Sequence, residues 1–326
     1  MPGTVLEAPV AEPIPESDDH VSLGGDPLDS APRWTVGRLV TGFLVCGPLL
    51  GFALLLPLGR AAGFNFWDVV IGTALYFFTG FGIATGFHRL FTHRSFKTNR
   101  ILKVLFAVAG SMALEGGVIG WVAVHRRHHM YGDQPGDPHS PYKYGSGAFA
   151  ILRGFVHAQV GWLFSNDPTD TRRFAPDLHR DGDLVIVDRL FPLLAVVSLA
   201  IPFGIGLSLY GTLAGALAVF LWAGLVRMAL LHHVTWSINS ACHLWGRRPF
   251  PTKDRSTNLA LLALPSFGES WHNFHHAAPS SARHGVLRHQ LDPSARLIRL
   301  LEHLGLATKV RWPTPAQISA LSKGGE

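Results

Sequence analysis

The sequence predicts an all-α, polytopic membrane protein with four transmembrane helices and a cytoplasmic helical cap that gathers clustered histidines. Three observations predict this class. Only 15% of the 326 residues are charged, 48% are hydrophobic and mean hydropathy is +0.23, whereas soluble domains carry about 25% charged residues. The apolar residues are bunched into runs near the length of about 20 that a helix needs to cross a bilayer. The 18 histidines gather in short motifs just beyond those runs. Cys46 and Cys242 lie far apart and exclude a disulfide scaffold.

In chain order, residues 1–33 read as a disordered acidic tail. Seven acids precede the first basic residue, Arg33, and no aromatic accompanies them. Such a segment buries too little to fold, and it lacks the basic and apolar regions of a signal peptide. The rest of the chain, at a net charge of +13, suits an anionic membrane face. Its main domain is expected over 34–310, with a C-terminal tail at 311–326.

Leu39–Gly59 and Val69–Phe87 are free of charge and predict the first helical hairpin, the second run ending at His88. Ile101–Val124 is apolar but holds Lys103 and Glu115. Each charge costs roughly 2.5–3.5 kcal/mol at the bilayer centre, so this run belongs at the interface or against protein. Leu190–Val226 is uncharged and about twice one span in length, which predicts two further spans turning near Pro202, Gly204 and Gly206. Lys and Arg crowd the long connecting segments, while Arg60 is the single basic residue in the two hairpin turns. That bias places the long segments and both termini in the cytoplasm. Asp292–Leu304 alternates Leu and Ile with charged residues at helical spacing and predicts an amphipathic helix.

The histidine motifs carry the chemistry. His88 and His93 form H-x4-H; His125, His128 and His129 form H-x2-H-H; Asn239 and His243 form N-x3-H; His272, His275 and His276 form a second H-x2-H-H. Residues three and four apart share a helix face, so each H-x2-H-H aims at least two imidazoles at one point. Two spans separate His129 from Asn239, which puts all four motifs on one side of the membrane. Nine converging histidines are too many for one ion and suit two. Neutral imidazole suits iron, copper, zinc and nickel, and an all-nitrogen pair beside lipid fits iron that activates dioxygen.

The order and spacing of these motifs resemble the membrane-bound fatty acid desaturases, in particular bacterial members of the Δ9 acyl-CoA (stearoyl-CoA-type) branch. Supporting matches are the stretch from Gly86 to Phe96, Asp137-Pro-His139, Gly161-Trp-Leu163, and the run from Gly268 through Glu269 to His276. The resemblance covers roughly residues 35–290. It implies a two-iron centre held by His88, His93, His125, His128, His129, His243, His272, His275 and His276, with Asn239 holding a water on one iron. It implies O2 as co-substrate, a long-chain acyl-CoA substrate in a buried tunnel, and a bacterial plasma-membrane location. Electrons would come from a separate protein such as a ferredoxin, a cytochrome b5-like protein or a reductase.

Two places depart from the animal enzymes of that branch. An Arg-Asp pair that helps hold coenzyme A there is Ala123-Val124 here, and a basic pair is Ser165-Asn166. The implied reaction is removal of two hydrogens from adjacent methylenes, which have no acidity for a general base to exploit. Acyl-lipid desaturation and hydroxylation of fatty acids or alkanes are alternatives that share the iron site.

Overall fold

The computed structural model describes residues 36–62 and 65–323; the acidic segment 1–33 lies outside the described residues. The scaffold is a set of long helices: α1 (Val36–Ala62), α2 (Phe66–Thr92), α7 (Phe191–Tyr210) and α8 (Leu213–His243). The last three are long and apolar enough to cross a membrane. The described apolar stretch of α1 is shorter, Leu39–Gly51. A capping box starts α2: the Asn65 side chain accepts from the Trp67 N–H at 2.8 Å, and the Asp68 carboxylate accepts the Asn65 N–H at 3.1 Å.

Two span boundaries differ from expectation. The second run does not stop before His88: α2 continues to Thr92 through a wide-turn π-helical segment, Gly82–Thr92. The turn between the last two spans lies at Gly211-Thr212, not near Pro202. Gly211 adopts a left-handed φ of +65°, and the Thr212 hydroxyl accepts the Gly215 N–H at 3.1 Å. These two residues supply both the C-terminal and the N-terminal cap signals. Pro202 stays inside α7. Gly206 serves a helix contact, since a Cβ there would stand 2.9 Å from the Ala216 Cα and the Val219 Cβ of α8. Close backbone approach through small residues is how helices associate where lipid supplies no hydrophobic drive.

Between the two hairpins lie α3 (Arg100–Ser111), α4 (Val118–Tyr131), α5 (Ala148–Gln159) and α6 (Gly182–Arg189). The apolar run with two charges thus forms two helices against protein. Lys103 pairs with Asp181 at 2.6 Å and Asp183 at 3.1 Å, and Glu115 is enclosed in the α3–α4 turn. After α8 come the short α9 (His272–Ala277), the amphipathic α10 (Pro293–His303) and α11 (Pro315–Lys323). Strands β1 (Lys97–Thr98) and β2 (Ala307–Thr308) pair antiparallel and fasten the chain after α10 to the end of α2. Past residue 310, Trp312 donates its indole N–H to Glu302 at 2.9 Å.

Two contacts hold the functional segments in register. The Arg89 side chain, fully buried, reaches Asp292 at 2.9 Å, Glu269 at 3.1 Å and the Ala282 carbonyl at 3.1 Å. Gly82 of α2 lies so close to α3 that a Cβ would strike the backbone at Ala109 and Gly110. Gly82→Val should therefore force α2 and α3 apart, at the overpacking cost of about 1–3 kcal/mol. The expected readout is a lowered thermal midpoint in detergent, whereas a midpoint equal to the parent's would show that this crossing has slack.

Candidate metal centre

Four segments bring the nine motif histidines together, each by its own local geometry. On an α-helix, residues five apart point about 140° away from each other, so H-x4-H cannot aim both rings one way. The π-helical end of α2 solves this. The His93 N–H donates to the His88 carbonyl at 3.1 Å, five residues back, and such a turn stacks its first and last residues.

The two H-x2-H-H motifs behave as mirror roles. On α4, His125 and His129 join His88, His93 and His275 in one group, while His128 leaves for the other. On α9, His272 and His276 join His128 and His243, while His275 crosses to the first. Each helix gives its i, i+4 pair to one group and its remaining histidine to the neighbour. Within each group the candidate ligand atoms all lie within 4.8 Å of one another.

The nitrogen chemistry fits cations between these rings. In the first group, Nε2 atoms stand 3.1 Å apart for His88 and His275, 2.9 Å for His275 and His129, and 3.0 Å for His129 and His125. In the second, the spacings are 3.1 Å for His272 and His243 and 3.0 Å for His276 and His272. Two nitrogens at right angles on one ion, each about 2.1 Å from it, stand about 3.0 Å apart.

Proton counting points the same way. Glu269 contacts the His88 Nδ1; Asp137 lies 3.0 Å from that of His128, Asp133 2.8 Å from that of His243, and Asp254 2.7 Å from that of His276. A neutral imidazole that donates its Nδ1–H to a carboxylate has a bare Nε2 lone pair. His243 and His276 both turn such lone pairs toward His272, whose single Nε2 proton could serve one of them. The Nε2 atoms of His93 and His128 are buried with no hydrogen-bond partner at all. Buried polar atoms are normally paired, so these orphans fit metal ligands. Burial also pushes the His125, His129, His272 and His275 pKa values well below the usual histidine range, which keeps the rings neutral.

Residues 64–307 match the family model described as "Fatty acid desaturase". The chain belongs to the fatty acid desaturase family. It is 44% identical over 241 residues to a hex-5-enoyl-[acyl-carrier protein] acetylenase of Moorena producens, covering 73% of this chain and 75% of that one. It is 38% identical to an sn-1 stearoyl-lipid 9-desaturase of Anabaena variabilis, with 76% of this chain and 86% of that one covered. It is also 38% identical to an acyl-CoA C20 Δ5-desaturase of Anemone leveillei, over 77% and 75% of the two chains. The protein is thus an oxidoreductase acting on fatty acyl chains, from a family that uses a histidine-ligated di-iron site.

The desaturase's apolar channel reaches the histidines from one side. A cavity runs from Gly80 and Phe267 to His88, His125 and His272. A second runs outward past Glu115, Trp162 and Thr171. The two share Trp121, His125, Thr235 and Asn239. Asn239, at the end of the regular part of α8, therefore lines the channel beside the clusters.

The structure adds residues that the motifs did not single out. Asp133, Asp137 and Asp254 hold ligand tautomers, the support that carboxylates give to metal-bound histidines. The D-x3-D spacing behind the second motif was the available signal for the first two; Asp254 has none. His284 is enclosed 4.5 Å from the His275 ring, yet its Nδ1 accepts from Arg89 at 3.1 Å. Arginine only donates, so a neutral His284 carries its proton on Nε2, which is itself buried without a partner; His284 also forms a further candidate group with His88 and Glu269. Several other polar residues of the motif regions are structural ties. His232 bonds the Ala113 carbonyl at 2.8 Å, Arg126 pairs with Asp177 at 2.5 Å, and Arg127 pairs with Asp167 at 2.6 Å.

Glu115 sits in the channel wall, where it accepts the Trp121 indole N–H at 3.2 Å and bonds Thr235. Burial outweighs both bonds and pushes its pKa up to about 8. The neutral acid is therefore the native form, and its ionisation above pH 8 puts an unpaired charge in an apolar channel. Because the folded pKa exceeds the ordinary value of 4.5, stability from this group declines as pH rises from 4.5 through 8. Turnover is expected to fall between pH 7 and 9 in the parent and to stay flat in Glu115→Gln, which mimics the neutral acid. Matching pH profiles for the two proteins would contradict this role.

Proposed function

We propose that the protein introduces a cis double bond, at Δ9, into a saturated C16–C18 acyl chain. The observation that carries the proposal is the double histidine cluster at the junction of an apolar channel. In this reading His88, His93, His125, His129 and His275 hold one iron. His128, His243, His272 and His276 hold the other, with Asn239 positioning a water on it. The iron pair supplies the O2-derived oxidant that an unactivated methylene requires. The chain's own residues do the rest. The carboxylates of Asp133, Asp137, Asp254 and Glu269 keep the imidazoles aimed and balance the charge of two divalent ions. Trp121 and Thr235 line the channel where it passes the clusters, and Gly80 and Phe267 set how deep the chain enters.

Topology follows the charge bias of the sequence: α1 is a fourth crossing, and the histidine clusters and both termini face the cytoplasm of a bacterial plasma membrane. The branch resemblance favours acyl-CoA as carrier. A second reading, an acyl-lipid substrate, is favoured by the outer channel, whose lining contains neither Lys nor Arg to meet the phosphates of coenzyme A.

The test is product analysis with saturated acyl substrates, O2 and a reducing system. The expected product is the cis-Δ9 monoene, and a hydroxy acid without monoene would overturn desaturation. Stearoyl-CoA converted before any transfer to lipid supports the thioester form; label appearing only after incorporation into phospholipid supports the lipid form. The purified protein should bind close to two irons. His128→Ala and His275→Ala should abolish turnover with the fold retained, while His289→Ala, outside every motif, should match the parent. Full activity in His275→Ala is incompatible with the ligand assignment.

A further inference from the structure

One charge in the helical scaffold is left unanswered. Arg227 stands near the middle of α8, in a helix long and apolar enough to cross a membrane. Its side chain is buried, with the residue 2% exposed. The guanidinium donates from Nε to the Ala223 carbonyl at 2.8 Å, from Nη1 to the Thr79 hydroxyl at 3.1 Å and from Nη2 to the Ser198 hydroxyl at 3.0 Å. Thr79 and Ser198 give their own protons to the Leu75 and Met112 carbonyls, so they meet the arginine purely as acceptors. Among the described residues, all the partners of this cation are therefore neutral. A guanidinium carries five N–H groups, which leaves one uncommitted on each Nη nitrogen. A charge inside a membrane span is costly and by default marks a site, with a partner of opposite charge to be named.

A groove leads to this arginine. It lies between α2 and α8, with Tyr76, Val234 and Pro265 in its walls, and Arg227 is the single charged residue among the described ones that line it. Its rim residues Thr73 and Leu230 are exposed. Both belong to helices apolar enough to cross a membrane, so the groove is open to a lipid rather than to a soluble anion. It is separate from the acyl channel. The Tyr76 hydroxyl donates to the Pro265 carbonyl at 2.7 Å, and the Tyr76 ring stacks on Phe267 with centres 5.6 Å apart. Phe267 lines the channel, Tyr76 lines the groove, and Pro265 lines both, so these three residues form the wall between them.

We propose that this groove binds a second lipid, an unesterified long-chain fatty acid, with its carboxylate on Arg227 and its chain along the apolar walls. A carboxylate is planar and offers two oxygens, the match for two uncommitted N–H groups on one guanidinium fork. A phospholipid matches less well, because its phosphate and further polar groups would enter a groove that holds one cation and no other charge. The proposal needs no chemistry at the histidine clusters, so it stands or falls separately from the desaturase reading.

The test measures binding of radiolabelled palmitate to the purified, iron-loaded full chain in non-ionic detergent, with no reductant present. Palmitate should bind the parent at least tenfold more tightly than hexadecanol, which has the same chain and no charge, and should raise the thermal midpoint. Thr73→Trp, which fills the groove from its rim and leaves Arg227 in place, should weaken palmitate binding tenfold or more. Arg227→Met should do the same and bring palmitate and hexadecanol to equal affinity. Because Arg227 also ties α2 and α7 to α8, a poorly folded Arg227→Met passes the decision to Thr73→Trp and the hexadecanol comparison. Parent-like palmitate affinity in Thr73→Trp would overturn the site, since palmitate would then be held elsewhere, as in the acyl channel. Equal affinities for palmitate and hexadecanol in the parent would reduce Arg227 to a structural tie and overturn it too. Displacement of palmitate by phosphatidylglycerol at lower concentration than by unlabelled palmitate would make the occupant a phospholipid, against the proposal. A protein that binds palmitate in this way yet yields no alkene would fail the desaturase reading and leave the site standing.

Discussion

The structure depends on one electrostatic constraint: nine imidazoles are packed ring to ring with their lone pairs facing inward. Such an arrangement is repulsive unless cations stand between the nitrogens. It also holds its orientation only if each outer nitrogen is fixed. Asp133 and Asp137, from the loop after α4, with Asp254 and Glu269 from two further segments, fix four of them, while the Nδ1 atoms of His272 and His275 are buried without a partner. The carboxylates' negative charges complement two divalent ions, and Arg89 offsets Glu269 and Asp292 on the far side. Removing the cations from this account leaves buried orphan nitrogens at His93 and His128 with no explanation.

The long apolar helices serve that constraint by holding the histidine segments from one end. Helices surrounded by lipid gain little from burying apolar side chains and associate through close backbone packing instead. Gly82 against α3 and Gly206 against α8 are of this kind. The widened turn at the end of α2 has a matching purpose. It costs regular hydrogen bonding, and it aligns two rings that an α-helix would separate.

Access is divided between two faces. The apolar channel touches the clusters through His88, His125 and His272, and a basic basin touches them through His93, His129 and His276. A neutral Glu115 in the channel wall fits the same division, because a charge there would oppose the acyl chain.

Much of this was written locally in the chain. The apolar runs announce their helices because about 20 uncharged residues have few other ways to satisfy their backbone. The nine histidines are legible because they bunch in short motifs, and the two H-x2-H-H motifs also repeat a helical spacing, as His125, His128 and His129 do. Lys103 and Glu115 correctly excluded a span over Ile101–Val124. What the sequence left open depends on contacts between distant segments. The helix turn fell at Gly211-Thr212 because Pro202 and Gly206 are needed inside a packed hairpin, which only the neighbouring helix reveals. The division of each H-x2-H-H between two groups follows from where α4 and α9 face each other. The partnership of Asp254 with His276, or of Asp133 with His243 across 110 residues, has no periodic signature. Spacing along one helix sets which rings can share a face, but only the packing of separate segments decides which rings share an ion and which carboxylate turns each one toward it.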